Sequence, residues 1–96
     1  MPNKITLPIY ADELKQDVLD RLSRIEGQVR GVAKMMENQR RCIEVLQQLA
    51  SIQAALKGIT KTVLRNYLES CATDAIRSGD AAVYDELMEA IYKFAK

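Results

Sequence analysis

Histidine is missing from this chain of 96 residues, and no glycine-rich phosphate loop or convincing carboxylate pair stands in for the groups most enzymes use. Neither an enzyme nor a bound cofactor is expected. With only two cysteines and no histidine, the ligands for a tetrahedral zinc site are lacking. Aromatic residues make up 5% of the chain, too few large side chains for a lone small domain to be more than marginal. No apolar run approaches the length that spans a bilayer, and the opening, Met1 to Lys4 and then Ile5 to Tyr10, is too short and mixed for a signal peptide. The expected address is the cytoplasm, with no membrane partner. There ordinary thiols stay reduced, so Cys42 and Cys71 are packing residues or chemistry rather than a permanent staple.

Apolar residues nevertheless make up 48% of the chain, more than a disordered chain carries, so the missing burial is expected from a second subunit. The net charge of +1 hides a segregation of signs. Arg21 to Arg41 carries six bases (Arg21, Arg24, Arg30, Lys34, Arg40, Arg41) against Glu26 and Glu37. Lys57 to Arg65 adds three bases and no acid, whereas Asn66 to Lys96 has three bases against six acids. A basic face and an acidic end are expected.

The spacing predicts an all-α fold in one domain, residues 1–96, with 1–10 a flexible arm closed by Pro8. From Leu14, the residues Val18, Leu22, Ile25, Val29, Val32 and Met36 follow in steps of three or four, the period of an amphipathic helix that ends in the polar run Glu37 to Arg41. Gly27 and Gly31 weaken that helix by roughly 1 kcal/mol each, yet leave one side open to a neighbouring helix or DNA backbone. Cys42, Leu46, Leu49, Ile52, Leu56, Ile59, Val63, Tyr67 and Cys71 keep a second stripe, read as one helix to about Ile76. Gly79 then supplies a stop and Asp80 an N-cap for a short third helix carrying Val83, Leu87, Ile91 and Phe94.

Cys42 and Cys71 lie twenty-nine residues apart on that second helix, roughly 44 Å at 1.5 Å per residue, so they do not meet within one chain. If two such helices pack antiparallel about a two-fold axis, opposed residue numbers sum to a constant. Pairing Cys42 with the partner's Cys71 places the axis between Leu56 and Lys57 and sets Gly58 beside the crossing, where backbones can approach closely. Cys42, at a helix start beside Arg40 and Arg41, is favoured as an attacking anion. Cys71, late in the helix near Glu69 and Asp74, is then the resolving thiol of a two-cysteine sensor. Burial of both as small apolar residues accounts equally well for the spacing, and a linear two-thiolate Cu(I) site also stays open.

Arg21, Arg24 and Gln28 recur at three and four on the first helix, and Lys57, Lys61 and Arg65 at four and eight on the second. Such side chains can track phosphates with a salt dependence of about 0.9 per neutralised phosphate. Equally, a charged stripe can be a merely solvated face, and no helix-turn-helix signature or zinc finger decides between them.

The string Arg21-Leu-Ser-Arg-Ile-Glu-Gly-Gln-Val-Arg-Gly31, with Met35-Met36-Glu37 and Cys42 after it, resembles the opening of the CsoR/RcnR family of bacterial repressors. The likeness runs from about Leu19 to Ala95. Tyr67-Leu-Glu-Ser-Cys71 is similar to the family's His-Leu-x-x-Cys segment with tyrosine in place of histidine. The resemblance implies a three-helix protomer, a homodimer built as an antiparallel four-helix bundle, and a homotetramer that binds double-stranded operator DNA when free of ligand. Family sensing positions fall on Cys42, Tyr67 and Cys71, with Arg41 nearby; Arg21 matches the DNA-contacting arginine. Copper-sensing members use cysteine, histidine and cysteine there, and a phenol is a poor ligand for a soft monovalent ion; nickel or cobalt would need histidines. Two cysteines without the histidine resemble the CstR-like branch, which implies sulfane sulfur (persulfide or polysulfide) as inducer and sulfide stress as the setting. Cu(I) held by two thiolates, formaldehyde bridging Pro2 to Cys42, and a helical dimerisation module with no DNA role are the alternatives.

Overall fold

The computed structural model describes residues 10–95, and for residues 71–76 and 78 the backbone only. The expected arm, 1–10, falls outside the described residues except for Tyr10. Three α-helices and no strand make up the described chain: α1 Asp12–Glu37, α2 Cys42–Ser78 and α3 Ala81–Phe94. No helix among the described residues is long and apolar enough to cross a membrane. The chain divides into two compact units, Met1–Leu56 and Lys57–Lys96.

The first unit is an αα-hairpin. Asp12 and Glu13 sit in the first turn of α1, where carboxylates complement the helix dipole, but Ala11 at the N-cap has no side chain to cap with. The end of α1 is a Schellman turn. Gln39 N–H donates to the Met36 carbonyl at 3.2 Å and Arg40 N–H to that of Met35 at 2.9 Å, with Gln39 in the left-handed region at φ 57°. The sequence reading ended this helix in the Glu37 to Arg41 run; the left-handed residue there is a glutamine, although glycine suits that conformation better.

Ile25 of α1 with Val45 and Ile52 of α2 form the buried centre of this unit. The covered face of α1 runs Leu14, Val18, Arg21, Ile25, Gln28, Val32 and Met35, alternating steps of four and three as a two-helix seam requires. It differs from the expected stripe at three places: Leu22, Val29 and Met36 are exposed, Met36 by 63%. The apolar band on α1 is wider than one neighbouring helix can cover, and the seam takes the edge that includes Arg21 and Gln28. On α2, Val45 and Ile52 stand seven residues apart on the covered face, while Leu46, Leu49 and Leu56 lie exposed on the flank beside it. Space is open where a side chain on Gly27 or Gly31 would stand.

In the second unit, Ile59 and Leu87 are the buried hydrophobic residues among those described. Gly79, at φ 63°, breaks the helix, and the Asp80 carboxylate accepts from Ala82 N–H at 2.9 Å, as the sequence predicts for a stop and N-cap. Val83 and Ala90 flank Leu87 at half exposure, whereas Tyr84, Met88, Ile91 and Phe94 are exposed.

Candidate sensing thiol and nucleic-acid interface

Cys42 is the first residue of α2, with a free and exposed thiol. Arg41 precedes it, and the Arg41 carbonyl accepts from both Glu44 N–H and Val45 N–H, at 3.0 and 3.2 Å. The two arginines expected to favour an anionic sulfur are not equivalent. Arg40 Nε donates to Glu44 Oε1 at 2.8 Å, so part of its charge is answered by a carboxylate; Arg41 is exposed, with no carboxylate within 4 Å among the described residues. Ile43 and Leu46 are 49% and 59% exposed, which puts Cys42 at the end of an uncovered apolar flank. Tyr67 is half-buried in α2. Cys71 lies in α2 too, but its side chain is outside the described residues.

Three of the six candidate DNA contacts come together. Arg21, Arg24 and Gln28 line one side of a groove of about 220 Å³ whose remaining lining is Ile25 and Ala55. α1 thus brings two arginines and a glutamine beside Ile25, and Ala55 of α2 completes the lining. Arg21 Nη1 donates to Asp17 Oδ2 at 3.3 Å, and its side chain is 31% exposed. Arg24 is exposed. Asp20 stands four residues before it but accepts instead from Gln16 Nε2 at 2.9 Å. In the second unit Lys57 and Lys61 are exposed, and Arg65 Nε donates to Glu69 Oε2 at 3.3 Å. The acid-free run read from the sequence stops at Arg65, and its answering acid sits one helical turn beyond. Charge counting missed Asp17 for the same reason; the four-residue spacing of Asp17 and Arg21 was the available signal.

A family model described as a metal-sensitive transcriptional repressor matches residues 14–93. The chain belongs to the CsoR/RcnR family. It is 40% identical over 92 residues to the copper-sensing transcriptional repressor CsoR of Bacillus subtilis, covering 95% of this chain and 91% of that one. To the copper-sensing repressor RicR of Mycobacterium tuberculosis it is 37% identical over 82 residues, 85% of each. Among solved structures it is similar to CsoR with Cu(I) from Geobacillus thermodenitrificans, with a TM-score of 0.79, 42% identity and 95% of each chain covered. The nickel-responsive regulator InrS gives 0.75 and 34%, over 94% of this chain and 99% of that one.

Family membership makes this a repressor rather than an enzyme, and the all-α, three-helix reading stands. The inducer is another matter: the relatives' names favour Cu(I), the second reading of the sequence, over sulfane sulfur. The donor set fits copper only in part. Two soft thiolates suit linear Cu(I), but no histidine exists in the chain to complete a trigonal site or a nickel site.

Proposed function

We propose that this chain is a cytoplasmic repressor that binds double-stranded operator DNA as a homotetramer of antiparallel dimers, and that a thiophilic inducer acting on Cys42 and the Cys71 thiol of a second copy releases the DNA. The observation that carries the reading is the family match across residues 14–93 in a chain with both cysteines. The groove in which Arg21, Arg24 and Gln28 meet supports the DNA contact, with Lys57, Lys61 and Arg65 as further phosphate contacts.

For the inducer we put forward sulfane sulfur, because the chain keeps two thiols and has no histidine. The exposed Cys42 thiolate attacks the outer sulfur of a low-molecular-weight persulfide; the parent thiolate leaves and Cys42 becomes a persulfide. The partner's resolving thiolate then attacks the Cys42 sulfur and expels hydrosulfide, leaving an intersubunit disulfide. Where a second persulfide has first converted the resolving thiol to a persulfide, attack of the Cys42 persulfide on its inner sulfur expels hydrosulfide and leaves a polysulfide bridge. In either case the electrons taken from two thiols end in hydrosulfide. Cu(I) bound by the same two sulfurs is the second reading, and the copper-sensing relatives favour it.

Mass spectrometry on reduced protein separates them, after exposure to glutathione persulfide, glutathione disulfide or Cu(I), with operator binding followed in parallel. Cross-linking of Cys42 to Cys71 by persulfide alone, with loss of DNA binding, supports the sulfur reading. Unmodified thiols, with DNA released only by Cu(I) in excess glutathione, replace it with the copper reading.

A further inference from the structure

The ion pair made by Arg21, a residue of the groove lining, stands in the way of the phosphate contact that this arginine is suited to make. A guanidinium grips a phosphate best with two parallel N–H donors. Asp17 Oδ2 holds Nη1 of Arg21, one donor of that fork, at 3.3 Å. Arg24, on the same lining, has no carboxylate within 4 Å among the described residues, since Asp20 is engaged by Gln16. The two arginines of one groove are thus unequally available.

Resting on the repressor reading, we propose that Asp17 is an affinity-setting residue for DNA: an operator phosphate seated over Ile25 and Ala55 takes Arg21 from Asp17, and the exchange lowers affinity and its dependence on sequence-independent charge. The pair is well placed to be exchanged rather than to hold. It is an i, i+4 pair within one helix, with Asp17 56% and Arg21 31% exposed, so solvent and salt already weaken it. A phosphate arriving with a bidentate geometry outcompetes the carboxylate contact at 3.3 Å, and Asp17 is left to water. The carboxylate also repels the incoming polyanion, so both effects have the same sign.

The test is a double-mutant cycle on the full chain, read by fluorescence anisotropy on a labelled duplex that the wild-type protein has selected from random sequence. Asp17→Asn is expected to bind about two- to fourfold more tightly, the scale of an exposed ion pair. Asp17→Glu, which keeps a carboxylate, is expected to stay at wild-type affinity. In the Arg21→Ala background the gain from Asp17→Asn is expected to shrink to the smaller part that repulsion of the polyanion supplies, because the two residues then have nothing to exchange. A thermal melt supplies the contrasting readout: the i, i+4 pair of Asp17 with Arg21 stabilises α1 slightly, so Asp17→Asn lowers Tm slightly while DNA binding rises, and a purely structural residue would move both downward. An equal gain in both backgrounds reduces Asp17 to a general surface charge and overturns the proposal, as does unchanged or weaker binding by Asp17→Asn. If the wild-type protein selects no duplex at all, the repressor reading falls and takes this inference with it; if it selects one and only the cycle fails, the repressor reading survives.

Discussion

Leu46 is the sharpest probe of whether the uncovered flank of α2 is an interface. Its side chain is 59% exposed in the single chain, and full burial of a leucine contributes about 1.5–3 kcal/mol. Covering the remainder in a dimer is therefore worth about 1–2 kcal/mol per copy. A symmetric interface uses each residue twice, so Leu46→Ala should weaken dimerisation by about 2–4 kcal/mol, or roughly thirtyfold to several hundredfold in Kd. Sedimentation equilibrium over a dilution series measures it directly. Gln47→Ala, one position along and exposed, is the control and should change stability by less than about 0.5 kcal/mol. If Leu46→Ala and Gln47→Ala dissociate at the same concentration as wild type, the flank is simply wet, and the argument from exposed apolar surface to assembly is refuted.

Three further outcomes follow from local geometry and donor chemistry. Gln39→Gly relieves a left-handed φ at the end of α1 and should raise stability by about 1 kcal/mol in a denaturant titration; a loss would mean the glutamine side chain has a role of its own. Asp80→Ala removes the carboxylate that caps α3 and should cost about 1 kcal/mol, seen as earlier exchange of the α3 amides, whereas Asp80→Asn should keep most of the cap. Tyr67→His supplies the nitrogen that a trigonal Cu(I) site needs. It should tighten Cu(I) binding in glutathione competition by more than the roughly tenfold minimum typical of an outer-shell change, and an unchanged affinity would dissociate position 67 from the sensing site.

Where the chain carried its own local chemistry, the fold was legible. Gly79 and Asp80 announce a stop and a cap, and the structure uses them as such. The proline-free stripe after Cys42 becomes a single helix to Ser78. The α1–α2 turn had no glycine to mark its left-handed residue, because two crossed backbone hydrogen bonds hold Gln39 in place of local preference. The α1 stripe was shifted by a residue at three positions because hydrophobicity reports which residues avoid water, not which neighbour covers them. Arg21 and Gln28 are partly covered, while Leu22, Val29 and Met36 are exposed. At the candidate site, charge counts found the arginines but not the acids that answer them, since pairing depends on helical spacing across the edges of the counted runs. Arg21 with Asp17 and Arg65 with Glu69 are both such cases.

A cysteine on a slack loop can take on a new bond while the loop absorbs the displacement. Cys42 has little such slack. Behind it, the Met35 and Met36 carbonyls clamp the turn; ahead of it, α2 has already begun. A bond formed at its sulfur would therefore load the corner of the hairpin itself rather than a tether, one residue after Arg41 and at the first turn of α2.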